Sequence, residues 1–103
     1  MKTYVIHNDN APDVRFTGEL LASVTSRGDG DSCGRWTNLD LYKTAGGKYV
    51  CHQIGVTCRE GERDRYRVEV CADEAEVIDF FGHGWLAKAL YDESGILDVV
   101  DVD

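Results

Sequence analysis

Apolar and polar side chains alternate along most of the chain up to Cys71, and near Asp73 the spacing changes to a helical one. Thr3 to Asn8 is a short β-prone run, and the turn formers of Asn8-Asp9-Asn10-Ala11-Pro12-Asp13 stop it. From Arg15 to Ser26, Phe16, Leu20, Ala22 and Val24 fall on one face with Arg15, Thr17, Glu19 and Ser23 opposite, Leu21 being the exception. That pattern predicts a long, half-buried strand. Arg27 to Gly34 holds three glycines and two aspartates, which predicts a mobile loop.

Trp36 to Lys43 sets Leu39 and Leu41 on one side and Trp36 and Tyr42 on the other, and Gly46-Gly47 then signals a hairpin. Val50, His52, Ile54, Val56 and Cys58 share the next face. Glu60-Gly61-Glu62 turns the chain into Arg63 to Cys71, where Tyr66, Val68 and Val70 alternate with Arg65, Arg67 and Glu69. Sequential hairpins favour an antiparallel meander, because a parallel sheet needs a crossover of about a dozen residues between strands.

Asp73-Glu74-Ala75-Glu76 has the form of a capping box ahead of Val77, Ile78, Phe80 and Phe81. Gly82-His83-Gly84 should end that helix, and Trp85 to Glu93 offers a second one, stopped near Gly95. Ile96 to Val100 reads as a last short strand or a docked tail. The expectation is α+β: an antiparallel β-meander of four to five strands, then one or two C-terminal helices packed on one face. Residues 1–103 form a single domain, with no internal repeat.

Hydrophobic residues make up 43% of the chain, enough to offset chain entropy and to exclude an intrinsically disordered protein. No stretch approaches the ~18–20 apolar residues of a membrane span, and the first residues lack the apolar centre of a signal peptide, so a cytoplasmic protein is expected. Cys33, Cys51, Cys58 and Cys71 contain no C-x-x-C pair; reduced thiols packed as small hydrophobes are the simplest account.

The net charge of −8 is unevenly distributed, which bears more on partners than the total does. Residues 72–103 carry nine acids against Lys88 alone, whereas residues 34–71 carry seven bases against five acids. An acidic helical half can occupy a basic groove built for nucleic acid. The plainer account is that Asp73, Glu74 and Glu76 complement a helix dipole while Asp79, Asp92 and Glu93 keep the domain soluble.

Other constellations each have a chemical and a structural reading. Cys51, Cys58, Cys71 and one of His7, His52 or His83 supply enough donors for a tetrahedral metal site, but Cys51 and His52 are strand neighbours that point to opposite faces. Arg63, Arg65 and Arg67 repeat at period two and can bind phosphates or nucleic acid, or else form an edge that resists aggregation. Trp85 sits between the helices, either as an exposed interface anchor with Tyr91 or as a staple holding the helix junction to the sheet. No residue is assigned a catalytic role, and no cofactor is called for.

The stretches Arg35-Trp36-Thr37-Asn38-Leu39-Asp40-Leu41-Tyr42-Lys43-Thr44, Gly61-Glu62-Arg63-Asp64-Arg65-Tyr66 and Trp85-Leu86-Ala87-Lys88-Ala89-Leu90-Tyr91 resemble small accessory proteins of bacterial plasmids and phages, over about residues 15–96. In size and charge these are similar to anti-CRISPR and anti-restriction inhibitors. The resemblance implies a non-enzymatic inhibitor or adaptor that docks on a basic surface of a nucleic-acid-processing, host-defence complex. Its contacts would come from Asp73, Glu74, Glu76, Asp79, Trp85, Tyr91, Asp92 and Glu93, with Arg63, Arg65 and Arg67 as a secondary surface. The implied partner is a protein, not a membrane or a small-molecule substrate, and pairing into a homodimer stays open.

Overall fold

Short turns between alternating segments leave little choice of topology, and the computed structural model, which describes residues 1–27 and 34–102, has the expected meander. Strands β1 (Lys2–Ile6), β2 (Val14–Thr25), β3 (Arg35–Thr44), β4 (Tyr49–Thr57) and β5 (Arg65–Cys71) pair antiparallel in sequence order, and helices α1 (Glu74–Phe81) and α2 (Trp85–Ser94) follow. The fold is α+β. Residues 28–33 of the predicted loop, Cys33 among them, lie outside the described residues.

The irregular Leu21 of the sequence pattern is a β-bulge. Leu20 pairs with Tyr42 but Ala22 pairs with Leu41, so one extra residue sits between them and the strand changes parity. Phe16 therefore faces the sheet surface that carries Tyr42, whereas Ala22 and Val24 join the opposite surface with Leu39 and Leu41. The single apolar face expected for Arg15 to Ser26 is thus split in two. Before the bulge, Gly18 has no substitute: a Cβ there would collide with the Lys43 carbonyl oxygen and lie 2.9 Å from Thr44 Cα.

The two sheet surfaces carry separate cores. On one, α1 packs against β4 and β5 and α2 against β2 and β3, burying Leu41, Cys51, Val77, Leu90 and Tyr91. On the other, Ile6 of β1 and Val68 of β5 share a cluster with Tyr42 and Val50, though they come from opposite margins of the sheet. The sheet is therefore curled into a half-barrel around this second core. Tyr4, Phe16 and Tyr42 fill its interior with ring centroids 4.8–5.3 Å apart.

Residues read from the sequence as a turn, Asn8 and Asp9, hold the curl. Asp9 Oδ2 accepts the Tyr66 N–H at 2.9 Å, the Asp9 N–H donates to the Tyr66 carbonyl at 3.0 Å, and Asn8 Oδ1 accepts the Val68 N–H at 3.2 Å. These groups imitate a neighbouring strand along the outer margin of β5.

The capping box forms with its return bond shifted one residue ahead of the N-cap Asp73. Asp73 accepts the Glu76 N–H at 2.9 Å, and the Glu76 carboxylate reaches back to the Ala72 N–H. Gly95 closes α2 in the left-handed conformation, with φ 84°. Beyond it Ile96 docks in the core while Leu97, Val99 and Val100 stay exposed, so the segment is a partly docked tail and not a strand.

Candidate functional site

Both helices sit on one sheet surface, so their outward faces share one side of the molecule. Glu74, Asp79 and Asp92 are exposed there. Among the described residues Asp79 and Asp92 make no ion pair or hydrogen bond, and Glu74 only accepts from the Tyr49 hydroxyl at 3.5 Å. Other acids of this half have local duties. Asp73 and Glu76 cap α1, and Glu93 accepts the Ser23 N–H at 3.1 Å, tying α2 to β2 just past the bulge. Asp98 pairs with His83 at 2.8 Å and Lys88 at 3.1 Å. The His83 hydrogen bond, assisted by Lys88, holds the Asp98 carboxyl below the usual carboxylate range.

The two aromatic residues of α2, grouped as contacts in the sequence, part company in the structure. Trp85 is the first residue of the helix and 70% exposed. It does not staple the junction. Tyr91, 2% exposed, does so: its hydroxyl donates to the Gly82 carbonyl oxygen at 2.6 Å, and burial pushes its titration up to about 12. Tyr91 is thereby removed from the set of contact residues. With Leu97 and Val99 also exposed on the tail that Asp98 pins to His83 and Lys88, Trp85 forms the apolar part of this surface.

The cysteine set does not assemble. Cys51 and Cys71 lie under the helices with sulfurs 3.6 Å apart, and desolvation raises both thiols above their ordinary value, Cys51 strongly. Cys58 is exposed on the turn after β4, where its sulfur accepts the Gly34 N–H at 2.9 Å. His52 points into the half-barrel, away from Cys51. Among the described residues no three His, Cys, Asp or Glu side chains are grouped to hold a metal ion.

The arginine stripe is interrupted by its own partners. Arg63 lies before β5 and pairs with Asp9 at 3.3 Å, while the Arg67 guanidinium carbon lies over the Phe80 ring, 4.4 Å from its centroid. Arg65 and Arg67 have no carboxylate at ion-pair distance among the described residues. These residues and Arg35, with Trp36 and Tyr66, line an open cleft of about 1060 Å³; Arg65 and Arg67 belong to the helix-bearing surface of the sheet, Trp36 and Tyr66 to the half-barrel surface. In the cleft wall, Glu62 takes the Arg35 guanidinium and the Thr57 hydroxyl, and Arg35 holds the Glu62 carboxyl low.

One cluster went unread in the sequence. Register sets Ser23, Asp40, His52 and Val68 in a single transverse row across β2 to β5 on the inner surface. Ser23 Oγ donates to Asp40 Oδ1 at 2.5 Å, but His52 Nδ1 stays 3.8 Å from Asp40 Oδ2. Both His52 ring nitrogens and Asn38 Oδ1 are buried without a hydrogen-bond partner among the described residues. Desolvation lowers the His52 pKa, so the ring is neutral at pH 7. The signal in the sequence was the position of His52 between Val50 and Ile54 on an inward face.

Comparison with known proteins leaves this geometry as the basis for any functional reading: no family model matches the chain, and neither does any curated protein or solved structure.

Proposed function

We propose that the chain is a non-enzymatic binding protein, an acidic inhibitor or adaptor that docks its helical side on a basic surface of a nucleic-acid-processing complex. The observation that carries the reading is Trp85, a large aromatic left 70% exposed on the same side as the unpaired carboxylates of Asp79 and Asp92. Exposed aromatic anchors ringed by polar side chains are the usual energetic centre of a protein interface. Opposite charge on the partner would speed encounter and set orientation, with Trp85 supplying most of the affinity. Asp73, Glu76, Glu93 and Asp98 contribute less, since their carboxylates are already engaged within the chain.

The test is affinity capture from a bacterial lysate with the wild-type chain, Trp85→Ala, and Asp79→Lys paired with Asp92→Lys. A basic protein retained by wild type at low salt, released as salt rises, and lost with either variant supports the reading. A partner that both variants retain equally, or one indifferent to salt, refutes it.

A further inference from the structure

The two margins of the sheet are finished differently. Along β5, Asp9 and Asn8 take the outward backbone groups of Tyr66 and Val68, whereas β1 has no neighbour on its outer side among the described residues. The direction of the β1 backbone groups follows from the ladder. Thr17 turns its carbonyl oxygen away from β1, to the Ala45 N–H at 2.8 Å, so Phe16 and Gly18 on either side of it turn theirs toward β1. Their partners Tyr4 and Lys2 face β2 in return, and Thr3 and Val5 direct N–H and C=O outward. β1 also lacks the devices that keep an edge from pairing: it has no proline, no bulge and one charged residue, Lys2.

We propose that β1 is a homodimer interface, where β1 of a second copy pairs antiparallel with it about a two-fold axis at Tyr4. This register sets Thr3 opposite Val5 of the partner subunit and Val5 opposite Thr3 of the partner subunit, so the outward groups of both residues are used, in about four hydrogen bonds. Sliding the pair by two positions sets one of them opposite Met1 or His7, outside the strand. Tyr4 meets its own counterpart with Cα atoms about 4.5 Å apart, which carries the aromatic group it forms with Phe16 and Tyr42 across the axis. Lys2 falls opposite Ile6, so no like charges are apposed.

The rest of the molecule limits this contact to two copies and leaves it accessible. With the β5 margin occupied by Asn8 and Asp9, pairing through β1 alone closes on itself. The helices pack on β2 to β5, and Val5 stays 62% exposed. The net charge of −8 opposes association, yet β1 carries no acid, and charges more than about 8 Å apart are largely screened in physiological salt. One pair of five-residue strands falls below the roughly 1,200 Å² of stable complexes, so the dimer is a weak one.

Sedimentation equilibrium of the intact chain, from about 10 µM to 1 mM in physiological salt, tests the proposal. The mass should rise toward that of two chains and no further. Val5→Pro removes an outward N–H that β2 does not use, so it should weaken association at least about tenfold while circular dichroism retains the sheet signal. Thr3→Lys combined with Val5→Lys sets like charges opposite each other and should have the same effect, whereas Thr3→Glu combined with Val5→Lys sets opposite charges there and should restore association. If Val5→Pro loses the sheet, the two charge variants decide. A chain that stays monomeric at about 1 mM, a mass above that of two chains, or association unchanged by the paired lysine variant overturns the proposal. So does equal loss in both charge variants, because the register at Tyr4 would then be wrong.

Discussion

Replacing Trp85 and Leu90 by alanine, one at a time, separates a side chain kept for binding from one kept for folding. Leu90 is fully buried and Trp85 is 70% exposed, though they lie on the same helix. Leucine-to-alanine changes at fully buried sites cost about 2–5 kcal/mol through lost transfer energy and the remaining cavity. In a chain of this length that corresponds to a fall of roughly 10–25 °C in melting temperature. A tryptophan presents about 200 Å² to water, so the hidden fraction of Trp85 is some 60 Å² and stabilises by no more than about 1.5 kcal/mol. The exposed remainder, about 140 Å², is available to a partner and is equivalent to some 3.5 kcal/mol, or two to three orders of magnitude in affinity. Thermal and urea unfolding followed by circular dichroism, beside the capture experiment, reads both quantities. If Trp85→Ala lowers the melting temperature as far as Leu90→Ala does, Trp85 belongs to the core and the interface argument falls.

Gly18→Ala should destabilise by about 2–3 kcal/mol because backbone atoms of Lys43 and Thr44 occupy the space a Cβ needs, while Gly46→Ala, whose nearest neighbour is 3.9 Å away, should be near neutral in the same urea titration. Tyr91→Phe removes the hydrogen bond to Gly82 and should cost about 0.5–1.5 kcal/mol, and a variant as stable as wild type would show that the junction is held by packing alone. His52 titrates below its ordinary value of about 6.5, so the unfolded chain takes up a proton that the folded chain refuses. Its contribution is complete above that pH and is lost as pH falls toward the folded value, with a slope of at most about 1.4 kcal/mol per pH unit. His52→Gln should flatten stability against pH in this window; an unchanged slope would mean that the ring is solvated.

Elements whose cause is local were legible in the residues. The capping box at Asp73 and Glu76, the Gly46-Gly47 hairpin and the inward run of Val50, His52 and Ile54 each depend on neighbours a few positions away. Long-range effects were not. The bulge at Leu21 reverses the facing of every later residue in β2, and nothing within that strand says whether Leu20 or Ala22 keeps the parity of Phe16. Asn8 and Asp9 read as turn formers because that is their local preference, yet their side chains bond a strand some sixty positions away. Tyr91 was misassigned to the contact set beside Trp85 for a similar reason: nothing local separates the two aromatics, yet Tyr91 faces the sheet with its hydroxyl in reach of Gly82 while Trp85 stays exposed. The arginine stripe was visible as a period of two; that, among the described residues, Arg63 alone of its three members is ion-paired needed Asp9 in place.

The Asn8 and Asp9 contacts also give the sheet a direction of growth. They occupy hydrogen-bonding groups of Tyr66 and Val68 that an incoming strand would need, whereas no backbone bond reaches the outer side of β1 from another of the described residues. A foreign strand, whether from a binding partner or from a misfolded neighbour, can therefore extend this sheet at β1, where Lys2 is the only charge in its way.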